Sequence, residues 1–242
     1  MAYRLGVDIG GTFTDATLLD EETGALRIGK VPSTPKDPSV GFIQATDAIL
    51  KEGGVNADDV TYIVHGTTVA TNAIIEGTVA RTGFITTDGY RDMLEIARQI
   101  RPSLYDLQFQ KPKPLVPRYL CFGVPERLDA NGEVLKQFDT EAARRIAVRL
   151  KEEGVESIAV CLLHAYANPA HEQQLGTIIR EILPATMLSL SSEVAPEFRE
   201  YYRASTTVIN ASIQPVVARY LDRIQDRLQR AGFEAELLLM QS

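Results

Sequence analysis

Leu5-Gly6-Val7-Asp8-Ile9-Gly10-Gly11-Thr12-Phe13-Thr14-Asp15 is the stretch on which the fold turns. Residues 3–9 read as a buried strand, because apolar residues dominate and no helical period is present. Gly10-Gly11 then breaks the strand; glycine tolerates positive φ and close approach of other groups to the backbone. Residues 12–19 resume with β-branched and apolar side chains, so the chain returns as a hairpin. Successive N–H groups in such a turn form a concavity that attracts anions. Thr12 and Thr14 add hydroxyls. Asp8 repels an anion and is suited instead to a divalent cation, since Mg²⁺ takes a few carboxylates together with phosphate oxygens and water. Asp15 is a second candidate for polar work at the same place. A bare Gly-Gly hairpin with no ligand is the competing reading.

Further along, His65-Gly66-Thr67-Thr68-Val69-Ala70-Thr71-Asn72-Ala73 follows a strand and opens a helix. Free N–H groups at such a helix start also favour anions, although Thr67 or Thr68 can serve there as a plain N-cap. Arg91, after the Asp88-Gly89 turn, is the preferred anion-facing arginine of its segment. Together Gly6–Asp15, His65–Ala73, Gly89–Asp92 and Glu193–Tyr201 resemble, in the same order, motifs of the hydantoinase A/5-oxoprolinase family, within the actin/sugar-kinase/Hsp70 ATPase superfamily. The resemblance covers essentially the whole chain. It implies an α/β fold: an actin-like (ribonuclease H-like) first lobe with a mixed sheet flanked by helices, then a βαβαβ segment. It implies ATP and Mg²⁺ or another divalent metal, with phosphate on Gly10, Gly11, Thr12 and Thr14, metal on Asp8, and Asp8 and Asp15 as catalytic carboxylates. His65, Thr67, Thr68 and Arg91 would face the substrate.

The implied activity is ATP-dependent opening of a cyclic amide of hydantoin, 5-oxoproline or lactam type, with a second, hydantoinase B-like subunit as partner. Some relatives carboxylate ketones instead. Two rival readings are a sugar or small-molecule kinase of the same superfamily and a non-catalytic nucleotide-binding module. Actin-like ATPases carry a second acidic-glycine hairpin, and only Asp8-Ile9-Gly10-Gly11 matches that pattern here. The expectation is therefore an amino-terminal portion of a longer protein that does not turn over ATP alone.

Composition narrows the field. The 242 residues are 45% hydrophobic and 24% charged, with a formal net charge of −7. That balance argues against a nucleic-acid partner, which demands basic patches. There is no apolar run of membrane-spanning length and no signal-peptide pattern, so the expected location is the cytoplasm, with no membrane association. Cys121 and Cys161 are too few for a disulfide framework. The three histidines, His65, His164 and His171, make no zinc spacing. No G-x-S-x-G elbow is present. Gly24–Val31 nearly spells a P-loop, but it lacks the final hydroxyl residue and runs into Pro32, Pro35 and Pro38 instead of a helix.

The remaining pattern predicts strands at 25–31, 60–64, 80–86, 157–163, 187–190 and 236–240. Helices are expected at 38–53, 67–75, 90–101, 139–150, 170–183 and 196–230, the last kinked or restarted at Pro215. A hairpin is expected around Asp129–Gly132. The proline-dense stretch 102–125 is expected to be a substrate-side loop or an interface. Three consecutive segments follow: a phosphate-hairpin lobe at 1–100, the proline-rich loop and βαβαβ segment at 101–190, and a long helix and strand beginning the next domain at 191–242.

Overall fold

The computed structural model describes residues 2–100, 103 and 105–240. Arg101 and Pro102, expected at a helix end and a loop start, lie outside the described residues. In chain order the elements are β1 (Tyr3–Ile9), β2 (Phe13–Asp20), β3 (Leu26–Pro32), α1 (Pro38–Gly53), β4 (Val60–Thr67), α2 (Val69–Glu76), β5 (Thr82–Thr87), α3 (Met93–Ile96), β6 (Cys121–Val124), β7 (Arg127–Leu128), β8 (Val134–Lys136), α4 (Thr140–Glu152), β9 (Ser157–Cys161), α5 (Ala170–Ile182), β10 (Met187–Leu190), α6 (Ser191–Val194), α7 (Glu200–Arg230) and β11 (Glu236–Leu239). They divide into two compact units, Met1–Thr78 with Val216–Ser242, and Val79–Pro215.

The first unit is a mixed sheet in the order β11-β4-β1-β2-β3. Strands β1, β2 and β3 are antiparallel, whereas β4 and β11 run parallel to their neighbours. Strand β1 alternates strictly: Tyr3, Leu5, Val7 and Ile9 are buried, Arg4 and Asp8 exposed. Period-two alternation of this kind requires one covered face. The cover comes from Phe42, Ala45 and Ile49 of α1 and from Tyr220, Ile224 and Leu228 of α7, which join the inner face of β1 in one core. Helix α1 starts where Asp37 accepts the Ser39 N–H, with Pro38 in the first turn, and it stops at Gly54 with φ 65°. Arg227 of α7 holds that start, bonding Asp37 at 3.0 Å and Ser39 Oγ at 2.9 Å.

The second unit is an all-parallel sheet in the order β10-β9-β5-β6, separate from the first sheet. Strand β9 is buried along its whole length, as the unbroken Ile/Val/Ala run requires of a central parallel strand. Asp139 caps α4 by accepting the Ala142 N–H at 2.9 Å, and Ala143, Ala147 and Leu150 turn inward. Arg203 is almost fully buried. Its guanidinium donates to Ser191 Oγ, to Glu197 O at 2.8 Å and to Leu162 O at 2.8 Å. Buried Glu172 accepts from the same Ser191 hydroxyl, from Ser192 and from the Leu162 amide. The two charges thus share a hydroxyl bridge instead of touching. Burial pushes the Cys121 and Cys161 thiols up to about 11, so both behave as small core residues.

Several expectations change. The segment at 90–101 is helical only over Met93–Ile96, because Ala97 and Gln99 take φ of 52° and 53° and end it. Helix α7 starts at Glu200, after Arg199 at φ 81°, and continues through Pro215. The compact units also cut across the three consecutive segments at 1–100, 101–190 and 191–242. Strand β11 joins β4 in the first sheet, so it belongs with the opening strands.

Gly83 of β5 faces α4 so closely that an added Cβ would lie 2.6 Å from Leu150 Cδ2. Gly83→Ala is expected to lower unfolding stability by about 1–3 kcal/mol through overpacking. Urea denaturation should show the penalty shrinking in a Leu150→Ala background, where the opposing methyls are gone.

Candidate functional site

The hairpin tip is set by one ladder bond and one clasp. Gly10 N–H donates to Phe13 O at 3.0 Å, which leaves Gly11 and Thr12 as the exposed turn residues. Ser33, just beyond β3, clasps the turn from the covered side. Its hydroxyl donates to Gly10 O at 2.8 Å and its N–H to Thr12 O at 2.9 Å. A trans peptide points its N–H opposite to its C=O. The clasp therefore directs the Gly11 and Phe13 N–H groups away from Ser33.

Asp8 stands on the uncovered face of the first sheet, opposite the buried Val7 and Ile9. It is exposed, cross-strand from Asp15 on β2 and from Gly66 on β4. A Cβ at Gly66 would lie 2.8 Å from Asp8 Oδ1, so the glycine makes room for the carboxylate. Asp8 has no hydrogen bond or ion pair among the described residues. Asp15 is engaged by Lys30 at 3.0 Å, a half-exposed pair of little energetic weight.

Neither Gly10 nor Gly11 takes a left-handed φ, so of the two properties expected of glycine only close approach applies. A Cβ at Gly10 would sit 3.2 Å from Phe13 O, and one at Gly11 would project into open space. Thr14, expected on phosphate, is fully buried instead. Cross-strand pairing with Ile9 places it on the covered face, bonded to Ser33 Oγ at 3.0 Å. Thr12 remains exposed at the tip.

His65, expected on the substrate side, is also fully buried. Its Nδ1 lies 2.9 Å from Val7 O and its Nε2 2.6 Å from the Tyr220 hydroxyl. The carbonyl can only accept, so Nδ1 carries the proton and Nε2 accepts from Tyr220. The ring braces β1 and β4 to α7, edge-on to Phe42. Burial pushes its pKa below the ordinary value and pushes the Tyr220 hydroxyl up. Thr67 Oγ1 accepts the Val69 N–H at 3.2 Å, a local turn just before α2. Thr68 is exposed, and its hydroxyl reaches Ile9 O at 3.4 Å. Arg91 belongs to the second unit, exposed, with Nη2 3.5 Å from Arg118 O.

Within the first unit a cavity of about 360 Å³ adjoins the hairpin tip. Gly10 and Gly11 form one edge, and Thr34, Lys36, Asn72 and Val216 are among its walls. Asp8 is not part of its lining. Ser33, Lys36 and Asn72 are not singled out by sequence pattern. Ser33 sits in a Pro-Ser-Thr-Pro run that reads only as a helix breaker, and Asn72 lies inside the His65–Ala73 motif with nothing to mark its role.

A family model described as the hydantoinase/oxoprolinase N-terminal region matches residues 4–183, and a second, described as hydantoinase/oxoprolinase, matches residues 203–242. The chain belongs to the hydantoinase/oxoprolinase family. An uncharacterized protein of Methanocaldococcus jannaschii is 40% identical over 100% of this chain and 35% of its own length. The caprolactamase subunit alpha of Pseudomonas jessenii is 35% identical over 99% of this chain and 35% of its own. The acetophenone carboxylase gamma subunit of Aromatoleum aromaticum is 32% identical over 98% of this chain and 34% of its own. The crystal structure of the ATP-dependent caprolactamase from Pseudomonas jessenii superposes with a TM-score of 0.90 at 33% identity, over 98% of this chain and 35% of that one. This hydantoinase/oxoprolinase chain thus spans about a third of the length of those relatives.

Among the described residues no group of three or more His, Cys, Asp or Glu gathers as a metal site. Mg²⁺ does not need one, because a carboxylate or two with substrate phosphates and water suffices. Asp8, exposed and without a hydrogen bond or ion pair among the described residues, fits that role. No helix among the described residues is long and apolar enough to cross a membrane.

The His65 brace is testable by pH. Its folded pKa lies below the ordinary 6.5, so the unfolded chain binds the proton more readily. The stabilisation is complete above that value and is lost as pH falls below it. His65→Gln should flatten this acid-side slope in urea titrations. Tyr220→Phe should cost about 1–3 kcal/mol at neutral pH by stranding Nε2.

Proposed function

We propose that this chain is the nucleotide-binding part of an ATP-dependent enzyme that opens a cyclic amide by phosphorylating the amide oxygen. The observation that carries the reading is the exposed Asp8 carboxylate, without a hydrogen bond or ion pair among the described residues and with Gly66 cleared beside it, at the end of a strand whose glycine turn the Ser33 clasp ties through the Gly10 and Thr12 carbonyls. The Gly11 and Phe13 N–H groups and the Thr12 hydroxyl hold phosphate oxygens. Asp8 holds the divalent cation, directly or through water. A bound divalent cation would neutralise charge on the transferring phosphoryl group. The protein's own part is positioning: planar peptides clamped from behind offer donors that need no reorganisation.

In the overall reaction the bond from the γ-phosphorus to ADP oxygen breaks and a bond to the amide oxygen forms. Water then adds at the activated carbon, the ring C–N bond opens and phosphate leaves. Asp15 shares the face with Asp8, with Lys30 as its counter-ion. Similarity to caprolactamase subunit alpha supports ring opening and an assembly with a second subunit. Similarity to the acetophenone carboxylase gamma subunit supports a second reading, in which the activated oxygen belongs to a ketone enol or bicarbonate.

Thermal shift with ATP tests the reading on this chain. At a hundredfold excess over Kd, MgATP should stabilise the fold by about 2.7 kcal/mol. Asp8→Asn should keep the apo melting temperature, because the side chain is exposed, and should lose the Mg²⁺-dependent part of the shift. Equal shifts for wild type and Asp8→Asn, with and without Mg²⁺, would overturn the metal role. No shift with any nucleotide would overturn the reading as a whole.

A further inference from the structure

Among the described residues, the proline-dense stretch adds nothing to the cavity beside the hairpin tip. Within the second unit it borders two clefts of about 640 and 240 Å³, which share Ala97, Lys111, Pro112 and Tyr201. Helix α7 contributes Tyr201, Ser205 and Ile209, which recur at helical spacing on one face. The end of α3 and the turn after it contribute Ile96 and Ile100. The Lys111-Pro112-Lys113-Pro114 run supplies a third part of the lining.

The turn after α3 is held against its preferences. Ala97 and Gln99 take positive φ, a conformation that costs a non-glycine residue free energy. The turn nevertheless presents Ile96 and Ile100 to solvent, 53% and 62% exposed. Neither backbone nor side chain gains from that arrangement in the chain alone, whereas a partner that covers both isoleucines offsets the strain. The charge around them has one sign. Arg98, Lys111 and Lys113 line the clefts and, among the described residues, no carboxylate does, in a chain of formal net charge −7. Lys113 has no hydrogen bond or ion pair among the described residues. Arg98 lies over the Tyr202 ring, and Lys111 reaches Glu95 at 3.7 Å, outside the clefts. Pro112 and Pro114 carry no N–H, so this run cannot take up an added β-strand. Recognition falls to side chains, as when an amphipathic helix lies in an apolar groove.

We propose that this groove docks an amphipathic helix of a partner chain. Its apolar stripe sits on Ile96, Ile100, Tyr201 and Ile209, and its flanking carboxylates face Arg98, Lys111 and Lys113. A purely apolar occupant leaves the three cations without a counter-charge, and an added strand finds no donors on the proline run. Docking here is independent of the nucleotide site and gives the second subunit proposed above a surface to hold. The basic rim steers an acidic partner onto the groove and repels a basic one.

The test is selection of a random-peptide phage library on the immobilised chain, followed by fluorescence-anisotropy titration of the selected peptides in synthetic form. Those peptides should carry large apolar residues at helical spacing flanked by Asp or Glu, and their affinity should fall as salt rises. Ile100→Asp should abolish binding. Lys111→Glu combined with Lys113→Glu should weaken it about tenfold or more. All three positions are exposed, so the melting temperature and the MgATP shift should stay as in wild type. Peptides without acidic enrichment, binding that survives both sets of substitutions, or no selected binder would overturn the proposal. So would sedimentation showing that the chain self-associates and that Ile100→Asp disperses it, since the groove then belongs to a second copy. Loss of peptide binding with an intact MgATP shift counts against the groove alone. Absence of the MgATP shift with peptide binding intact counts against the nucleotide reading alone.

Discussion

A strand shows its side chains alternately to two faces, and β1 tolerates only one register. Leu5, Val7 and Ile9 fill the core beneath α1 and α7 while Asp8 stands in the open between two of them. A slip of one residue would bury the carboxylate and expose the apolar set. Burying an unpaired charge is far costlier than losing a few methylenes. The position of the candidate metal ligand is thus enforced by the core on its opposite side. His65 reinforces the same register, since its ring bonds the Val7 carbonyl, its own cross-strand partner.

The clasp by Ser33 adds the second constraint. A glycine turn is flexible by composition, yet this one is tied at two carbonyls from behind. Both ties come from a single residue that follows β3, so the third strand decides how the turn between the first two is presented. Thr14 completes the arrangement from inside the core. The residues that hold the turn and those that face outward from it are different sets.

That division explains what the amino-acid sequence disclosed and what it hid. Strand β1, the hairpin, the start and end of α1 and the buried run of β9 were legible because each rests on local pattern: alternation, capping, glycine stops. Family motifs marked a turn and a helix start that the structure contains. They could not say which face a motif residue takes. Thr12 and Thr14 look equivalent in sequence, yet the first stands exposed at the tip and the second is drawn into the covered face. His65 looks reactive among its neighbours, and only the Tyr220 hydroxyl, 155 positions away, shows it to be a brace. Ala97 and Gln99 end a helix by backbone conformations that no residue type announces. The return of β11 to β4 is hidden for the same reason, being a pairing across most of the chain's length.

That return bears on the order in which the protein is made. The unit from Val79 to Pro215 is continuous, so every contact within it is available once its last helix turns have left the ribosome. The unit that holds the glycine hairpin is not. Its β4 edge waits for Glu236–Leu239, and part of its core waits for Tyr220, Ile224 and Leu228. Contacts of such long sequence separation close late, and a waiting strand edge is a place where nascent chains stick to one another. Of the two units, the one whose strands are translated first is therefore completed after the continuous one.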